Sequence, residues 1–580
     1  MAHKSNEASA DQLDQDYYDL GSYERPVSSN SEEAREWANR GLIWSYAFNH
    51  EESAKCFERA IASDADCVFA YWGLAYVLGP NYNKPWEFFD ETELDNVMRR
   101  TRDAIAKAKA SADKASPVER ALVDALKYRY PPEEKAADRK WSIWNASYAD
   151  AMGGAYKLFP DDLDVATLYV DALMNLTPWQ LWDLDTGAPA PGARTLEAKA
   201  ILERAMAQDG SGAGSRHPGL LHLYIHLMEM SPTPEAALPA ANTLRALVPD
   251  AGHLNHMPTH IDVLVGDYQA AIASNQAAII ADNKFFARES SGRSSGGGEG
   301  QQPVACFYTL YRMHDLHFRL YAAMFAGSSR AALDTASAVE KALPESLLRV
   351  ESPPMADWLE GFAGMRAHAL VRFGMWDEVL EMAEKDDGVL YCATNALICY
   401  AKGMAYAAKG DVERAREKRV EFAERVKRVP ESRTVFNNKC VDILGVAEAM
   451  LDGELKYREG RYEDAFEHLR TAVQRSAALP YDEPWGWMQP PAHALGALLV
   501  EQGHFDKAVE VYADDLGISE KLPRALQHRN NVWALHGYHE CLVKLGRLDE
   551  AKRIKPQLDK AIEGADIPIK ASCYCRLSVF

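Results

Sequence analysis

Small and bulky residues recur along this chain in an order that suits paired helices. Alternating apolar–polar runs joined by Asn-Gly or Asp-Gly turns are scarce. One template runs Gly, a bulky residue three later, Gly seven after the first, an apolar residue two later, Ala three beyond and a large residue after four more. Gly496, Leu499, Gly503, Phe505, Ala508 and Tyr512 fit each step, and Gly403, Tyr406, Gly410, Val412 and Ala415 fit five of them. Gly453, Gly460, Tyr462, Ala465, Leu469 and Ala472 give a third copy, and Gly41, Trp44, Ser53, Phe57 and Ala60 a looser fourth. The small residues let two helices approach, the middle glycine closes the turn, and the bulky positions fill the gap. Each pair leaves an apolar face open, so the pairs must stack. Turn glycines at 266, 327, 374, 410, 460, 503 and 546 mark further units, and their uneven spacing predicts interrupting loops. The expected fold is all-α: a superhelix of helix–turn–helix pairs with loop insertions.

A flexible N-terminal tail is expected over 1–30, helical repeats over 31–210, a histidine-rich repeat segment over 211–335 and C-terminal repeats over 336–580. The Gly/Ser run from Glu289 to Pro303 predicts a flexible loop, serving either as a lid or as a plain surface insertion. The chain has 580 residues and a formal charge of −21, which disfavours nucleic acid and anionic membrane as partners. No run approaches the roughly 18–20 apolar residues that a membrane span needs. The polar N-terminus lacks an apolar signal core, so a cytoplasmic location is expected. The nine cysteines are scattered and expected to be reduced; only Cys573 and Cys575 stand close together, as a metal or redox pair or as simple packing.

Eight of seventeen histidines fall between His217 and His317. Pro218 marks a helix start, after which His222, His226 and Glu229 share one face at i, i+4 and i+7. His253 and His256 are expected in a turn before Pro258, with His260 in the first turn of the next helix. His314 and His317 follow at i, i+3, with Tyr311 one turn earlier. Histidines near a helix N-terminus stay neutral, the form that binds metal. Convergence of the three groups predicts a metal site built from His222, His226, His253, His256, His260, His314 and His317; buried, hydrogen-bonded core histidines are the plainer reading. Few carboxylates accompany them, so copper fits best, zinc next, and iron if Glu229 completes a triad. Paired three-histidine sets would allow a dicopper centre. Tyr224 and Tyr311 are candidate proton or electron donors, and Glu229 orients a ligand or moves protons.

The template resembles the tetratricopeptide repeat, a helix–turn–helix unit of about 34 residues. Ordered phrases extend the resemblance to tetratricopeptide-repeat proteins of bacteria and filamentous fungi with histidine-rich central motifs. They are Leu42 to Glu52, Tyr71 to Ala75, Pro178 to Trp182, the His217 segment, His256 to His260, the His314/His317 segment, Tyr481 to Pro484 and Cys573 to Cys575. The resemblance implies the repeat superhelix and no particular reaction; its fungal side implies secondary-metabolite tailoring. It also draws attention to His50 beside the metal group, to Glu483, and to Trp179, Trp182, Trp86 and Tyr82 as an aromatic wall for an organic substrate. The leading expectation is a dioxygen-using metal-dependent oxidoreductase acting on a small molecule. The alternatives are a peptide-binding scaffold, with a protein partner or a second copy as its ligand, and a zinc-dependent hydrolase.

Overall fold

The computed structural model describes residues 17–130, 140–208, 212–294 and 305–579. They are mostly helical, with turns and irregular loops between; the one two-stranded ladder among them pairs Thr434–Val435 with Asn438–Lys439. Consecutive helices pack as antiparallel pairs: Glu32–Tyr46 with His50–Ser63, Cys392–Ala408 with Val412–Val426, Cys440–Arg458 with Tyr462–Ala477. All seven turn glycines read from the sequence adopt left-handed backbone, with φ between 65° and 82°. A Cβ there costs about 1–2 kcal/mol, which is why glycine ends each first helix.

The small-against-bulky rule is visible at two repeats. Phe57 fills the space left by Gly41 and Gly73, where an added Cβ would lie 3.0 and 2.2 Å from its ring. Tyr512 sits the same way between Gly496 and Gly537, at 2.4 and 2.3 Å.

The three repeat segments share one continuous apolar core. The C-terminal repeats fold back on the middle one: the Trp533 indole donates to the Met324 carbonyl at 2.7 Å and Tyr268 to the Arg529 carbonyl at 3.1 Å. From the first repeat, Glu51 accepts the Phe307 amide at 3.0 Å. The histidine-rich segment is therefore enclosed from both sides.

Two expectations about mobile segments change. Residues 17–30 form a packed strap: Tyr18, Leu20 and Val27 are buried, and Arg25 pairs with Asp164 at 2.9 Å. The rest of the expected tail, 1–16, lies outside the described residues. The expected loop at 289–303 begins inside the helix Tyr268–Ser294, because its first residues continue that helix; 295–303 lie outside the described residues. No helix among the described residues is long and apolar enough to cross a membrane.

Candidate metal centre

The helix Pro218–Glu229 is buried along its whole length and starts as the sequence predicts. Pro218 occupies its first turn, and the His217 ring caps it by accepting the Leu220 amide at 3.2 Å. His222, His226 and Glu229 face inward together. His253 and His256 lie not in a turn but on a short helix, Gly252–His256, which nearly runs into Pro258–Val265. That puts His253, His256 and His260 along one face. A Cβ on Gly252 would stand 2.0 Å from the Asp282 carboxylate, so only glycine lets this short helix press against Tyr268–Ser294.

Six imidazoles converge as two sets of three: His222, His226 and His253; and His256, His260 and His314. Within each set the potential ligand atoms lie within 4.8 Å of one another. In the first, His222 Nε2 and His253 Nε2 are 3.1 Å apart; in the second, His256 Nε2 and His260 Nε2 are 2.7 Å apart. Two nitrogens about 2.0–2.1 Å from one ion at tetrahedral angles are separated by about 3.3 Å, so the first spacing needs little adjustment and the second must open by about half an ångström. The sets adjoin: ring centres are 5.5 Å apart for His226 and His260 and 5.8 Å for His253 and His256.

The outer ring nitrogens decide which inner ones are free. His222 Nδ1–H donates to the Tyr46 carbonyl at 2.6 Å, leaving a lone pair on Nε2. The Asn275 amide donates to the Ala271 carbonyl, so its oxygen faces His256 and accepts Nδ1–H at 2.6 Å. His226 Nδ1–H donates to Glu229 Oε1 at 2.9 Å, and its Nε2 is buried with no partner. The other Glu229 oxygen lies 2.5 Å from His260 Nδ1. One carboxyl group thus stands against one histidine of each set, and ionised it would accept from both, the carboxylate–histidine arrangement found behind metal ligands.

Burial holds five of the six rings neutral. It pushes His222 down to about 3, and His226, His253, His256 and His314 well below the ordinary imidazole range. His260 is the exception: burial pushes it down, but Glu229 and Glu483 more than offset this and raise it to about 10. Burial and the adjacent Glu483 push Glu229 up, whereas Glu483 is held down by His260 against its own burial. Without metal, one buried proton on His260 therefore balances Glu483 and bridges to His256 Nε2. A cation between the rings would replace it.

The donor set fits a metal. His226 Nε2 in the first set and His314 Nδ1 in the second are buried ring nitrogens without hydrogen-bond partners, and each such group costs about 1–3 kcal/mol. Three non-glycine residues with left-handed backbone gather here: Phe48 (φ 55°), Trp179 (φ 54°) and Phe436 (φ 48°). The Phe48 ring lies 4.5 Å from His222 and 5.6 Å from His253, and Phe436 lies 5.0 Å from His314. Backbone strain of this kind costs about 1–3 kcal/mol per residue and collects at functional sites.

A cavity of about 620 Å³, mouth included, opens on His314, between Phe88, Trp179, Phe307, Trp358 and Phe436. Tyr311 and Glu483 also line it, with the Tyr311 ring 4.6 Å from His253. Trp179 is thus a wall residue. Tyr82 stands behind it, fully buried, 4.9 Å from the His226 ring.

Other expected site residues lie elsewhere. His317 belongs to neither set: one turn further along its helix, it packs on Phe362 at 5.2 Å. Tyr224 lies two residues from both His222 and His226, on the opposite side of the helix, and donates to Glu203 at 2.9 Å. Trp86 is core, stacked on Trp141 at 5.4 Å. Trp182 donates to the Leu227 carbonyl at 2.6 Å, bracing the back of the histidine helix. Cys573 and Cys575 are joined as a disulfide, in none of the candidate ligand groups; Tyr574 between them packs on Gly374 and Trp533. His50 sits behind Phe48, 3.4 Å from the Asn81 amide. The sequence reading did not foresee Phe48, Phe318, Asn275 or the Tyr46 carbonyl around the rings.

No family model matches the chain, and no curated protein matches it by sequence. Solved structures similar to it include Naa15/Naa10 bound to HypK-THB, at 12% identity and TM-score 0.21, covering 92% of this chain and 70% of that one. The APC/C hetero-tetramer Cut9-Hcn1 is similar at 11% identity and TM-score 0.22, covering 92% of this chain and 97% of that one.

Proposed function

We propose that this protein is a metal-dependent oxidoreductase that holds a pair of ions in its two three-histidine sets. It acts on a small organic molecule admitted through the aromatic cavity. The observation that carries the reading is the pair of buried sets, six imidazoles from four helices with Glu229 clasping one ring of each. Six nitrogen donors and no carboxylate inside either set favour copper over zinc or iron. A copper pair supplies one- or two-electron chemistry and dioxygen activation. The chain's own part is to keep five rings neutral, to fix ring orientation through Tyr46, Asn275 and Glu229, and to exclude water with Phe48 and Phe318. Glu483, on the cavity wall and beside His260, can exchange a proton with a molecule bound there.

The expected experiment is uptake of about two copper ions per chain, followed by dioxygen consumption with ascorbate as electron donor and its loss in His256→Ala. Copper-loaded protein that consumes no dioxygen above free copper would contradict the oxidoreductase reading. A second reading rests on the mixed group His226, Glu229, His260 and Glu483, whose ligand atoms also lie within 4.8 Å of one another. It suits a single zinc ion in a hydrolase and predicts about one ion per chain, lost in Glu483→Gln.

A further inference from the structure

The cavity beside His314 has a chemistry of its own. Six aromatic rings line it, a surface that takes a flat ring in preference to an aliphatic chain. Among the described residues lining it there is no lysine, arginine or other fixed cation, while Asp482 and Glu483 supply carboxyl groups. Lys84 is not among the lining residues; its ammonium stands 5.1 Å from the centre of the Phe307 ring and is paired with Glu93. Asp482 is already engaged, accepting from the Asn437 amide at 3.2 Å and the Asn438 side chain at 2.9 Å. Three lining polar atoms are buried without a partner: Glu483 Oε1, Asn83 Oδ1 and the Tyr311 hydroxyl. A ligand that satisfies the two acceptor oxygens must bring hydrogen-bond donors, and the Tyr311 hydroxyl can accept from it or donate to it. In the metal-free protein a carboxylate or phosphate would instead be buried beside Glu483 with no lining cation to pair it.

We propose that this cavity binds an aromatic ring carrying an O–H or N–H donor, a phenol or an aromatic amine, and discriminates against aromatic carboxylates. The ring stacks among Trp179, Trp358 and Phe436, and its donor reaches Glu483 Oε1 or Asn83 Oδ1. The inference rests on the reading that this cavity is the substrate's way to the histidine pair, because His314 belongs to both.

The test uses the full chain, metal-free, so that no electron transfer consumes the probe and no ion pairs the benzoate. Calorimetric titration with 4-methylphenol, 4-methylaniline and 4-methylbenzoate is expected to rank the first two at least about tenfold tighter than the third, a difference of about 1.4 kcal/mol. Trp358→Ala should weaken the phenol about tenfold, and Asn83→Leu should narrow the gap to the benzoate. Tyr462→Phe, on an exposed side chain of a C-terminal repeat, should leave both unchanged. Benzoate binding as tightly as the phenol in the wild type would overturn the inference, and that comparison needs no variant to fold. So would phenol affinity untouched in both cavity variants when circular dichroism is unchanged. The two failures separate: phenol preference without metal uptake sinks the metal reading alone, and metal uptake without phenol preference sinks this one alone.

Discussion

Glu229 is the residue where a single isosteric change should reach both metal sets. Its carboxylate oxygens stand 2.9 Å from His226 Nδ1 and 2.5 Å from His260 Nδ1. In Glu229→Gln the amide oxygen can accept from one ring, but the amide nitrogen then faces the other as donor to donor. That ring relieves the clash by moving its proton to Nε2, which removes the lone pair a metal needs. Partners behind metal ligands are worth about 10–100-fold in affinity, or about 1.4–2.7 kcal/mol. Glu229→Gln is therefore expected to keep one ion at wild-type strength and to weaken the other by that factor. Competition against chelators of graded affinity, with metal counted per chain, reads both constants. Two ions held with unchanged affinity would refute the clasp; loss of both with intact helicity would mean that the sets do not bind separately.

Metal loading at neutral pH should release at least about one proton per chain, because His260 carries one in the metal-free protein, where its pKa is raised to about 10. Calorimetry in buffers of different ionisation enthalpy measures this, and zero release would contradict the protonation pattern. Asp164 is pushed up by burial, but Arg25, with His217 and Tyr46 behind it, more than offsets this and depresses it. A depressed carboxylate stabilises the fold above its unfolded value near 4 and loses that contribution as pH falls through its folded value. Asp164→Asn should thus cost about 3 kcal/mol at pH 7 and roughly 1 kcal/mol less near pH 3 in urea melts, since the folded carboxylate is still ionised there; an equal deficit at both would refute the assignment. Ala246, exposed with φ 57°, lies in the left-handed region, so Ala246→Gly should raise stability by about 1 kcal/mol and leave metal content unchanged. A destabilised variant would count against that backbone geometry.

The repeat architecture was legible because its rule is local. A glycine that must turn left-handed, and small residues facing bulky ones, leave a pattern readable at Gly503 and Tyr512 without any tertiary knowledge. The histidine helix was legible for the same reason, since i, i+4 and i+7 fix one face. Where proximity in sequence replaced that periodicity the reading failed. Tyr224 stands between two site histidines and points away from both, and His317 is a turn beyond the ring it follows. Glu483 arrives from a loop far downstream, so its contact with His260 at 3.0 Å has no local signature. Phe48, Trp179 and Phe436 adopt backbone that their side chains disfavour, and no propensity could announce them. What the rings touch behind the site, Tyr46 and Asn275, depends on how separate helices dock.

The most direct test of the account is the metal count of untagged protein after loading with copper, zinc and iron in turn, beside His226→Ala and His260→Ala. Each variant removes one ring from one set only. The account predicts about two ions per chain in the wild type and about one in each variant. A wild type that retains no metal after all three loadings, or variants that hold as much as the wild type, would contradict it.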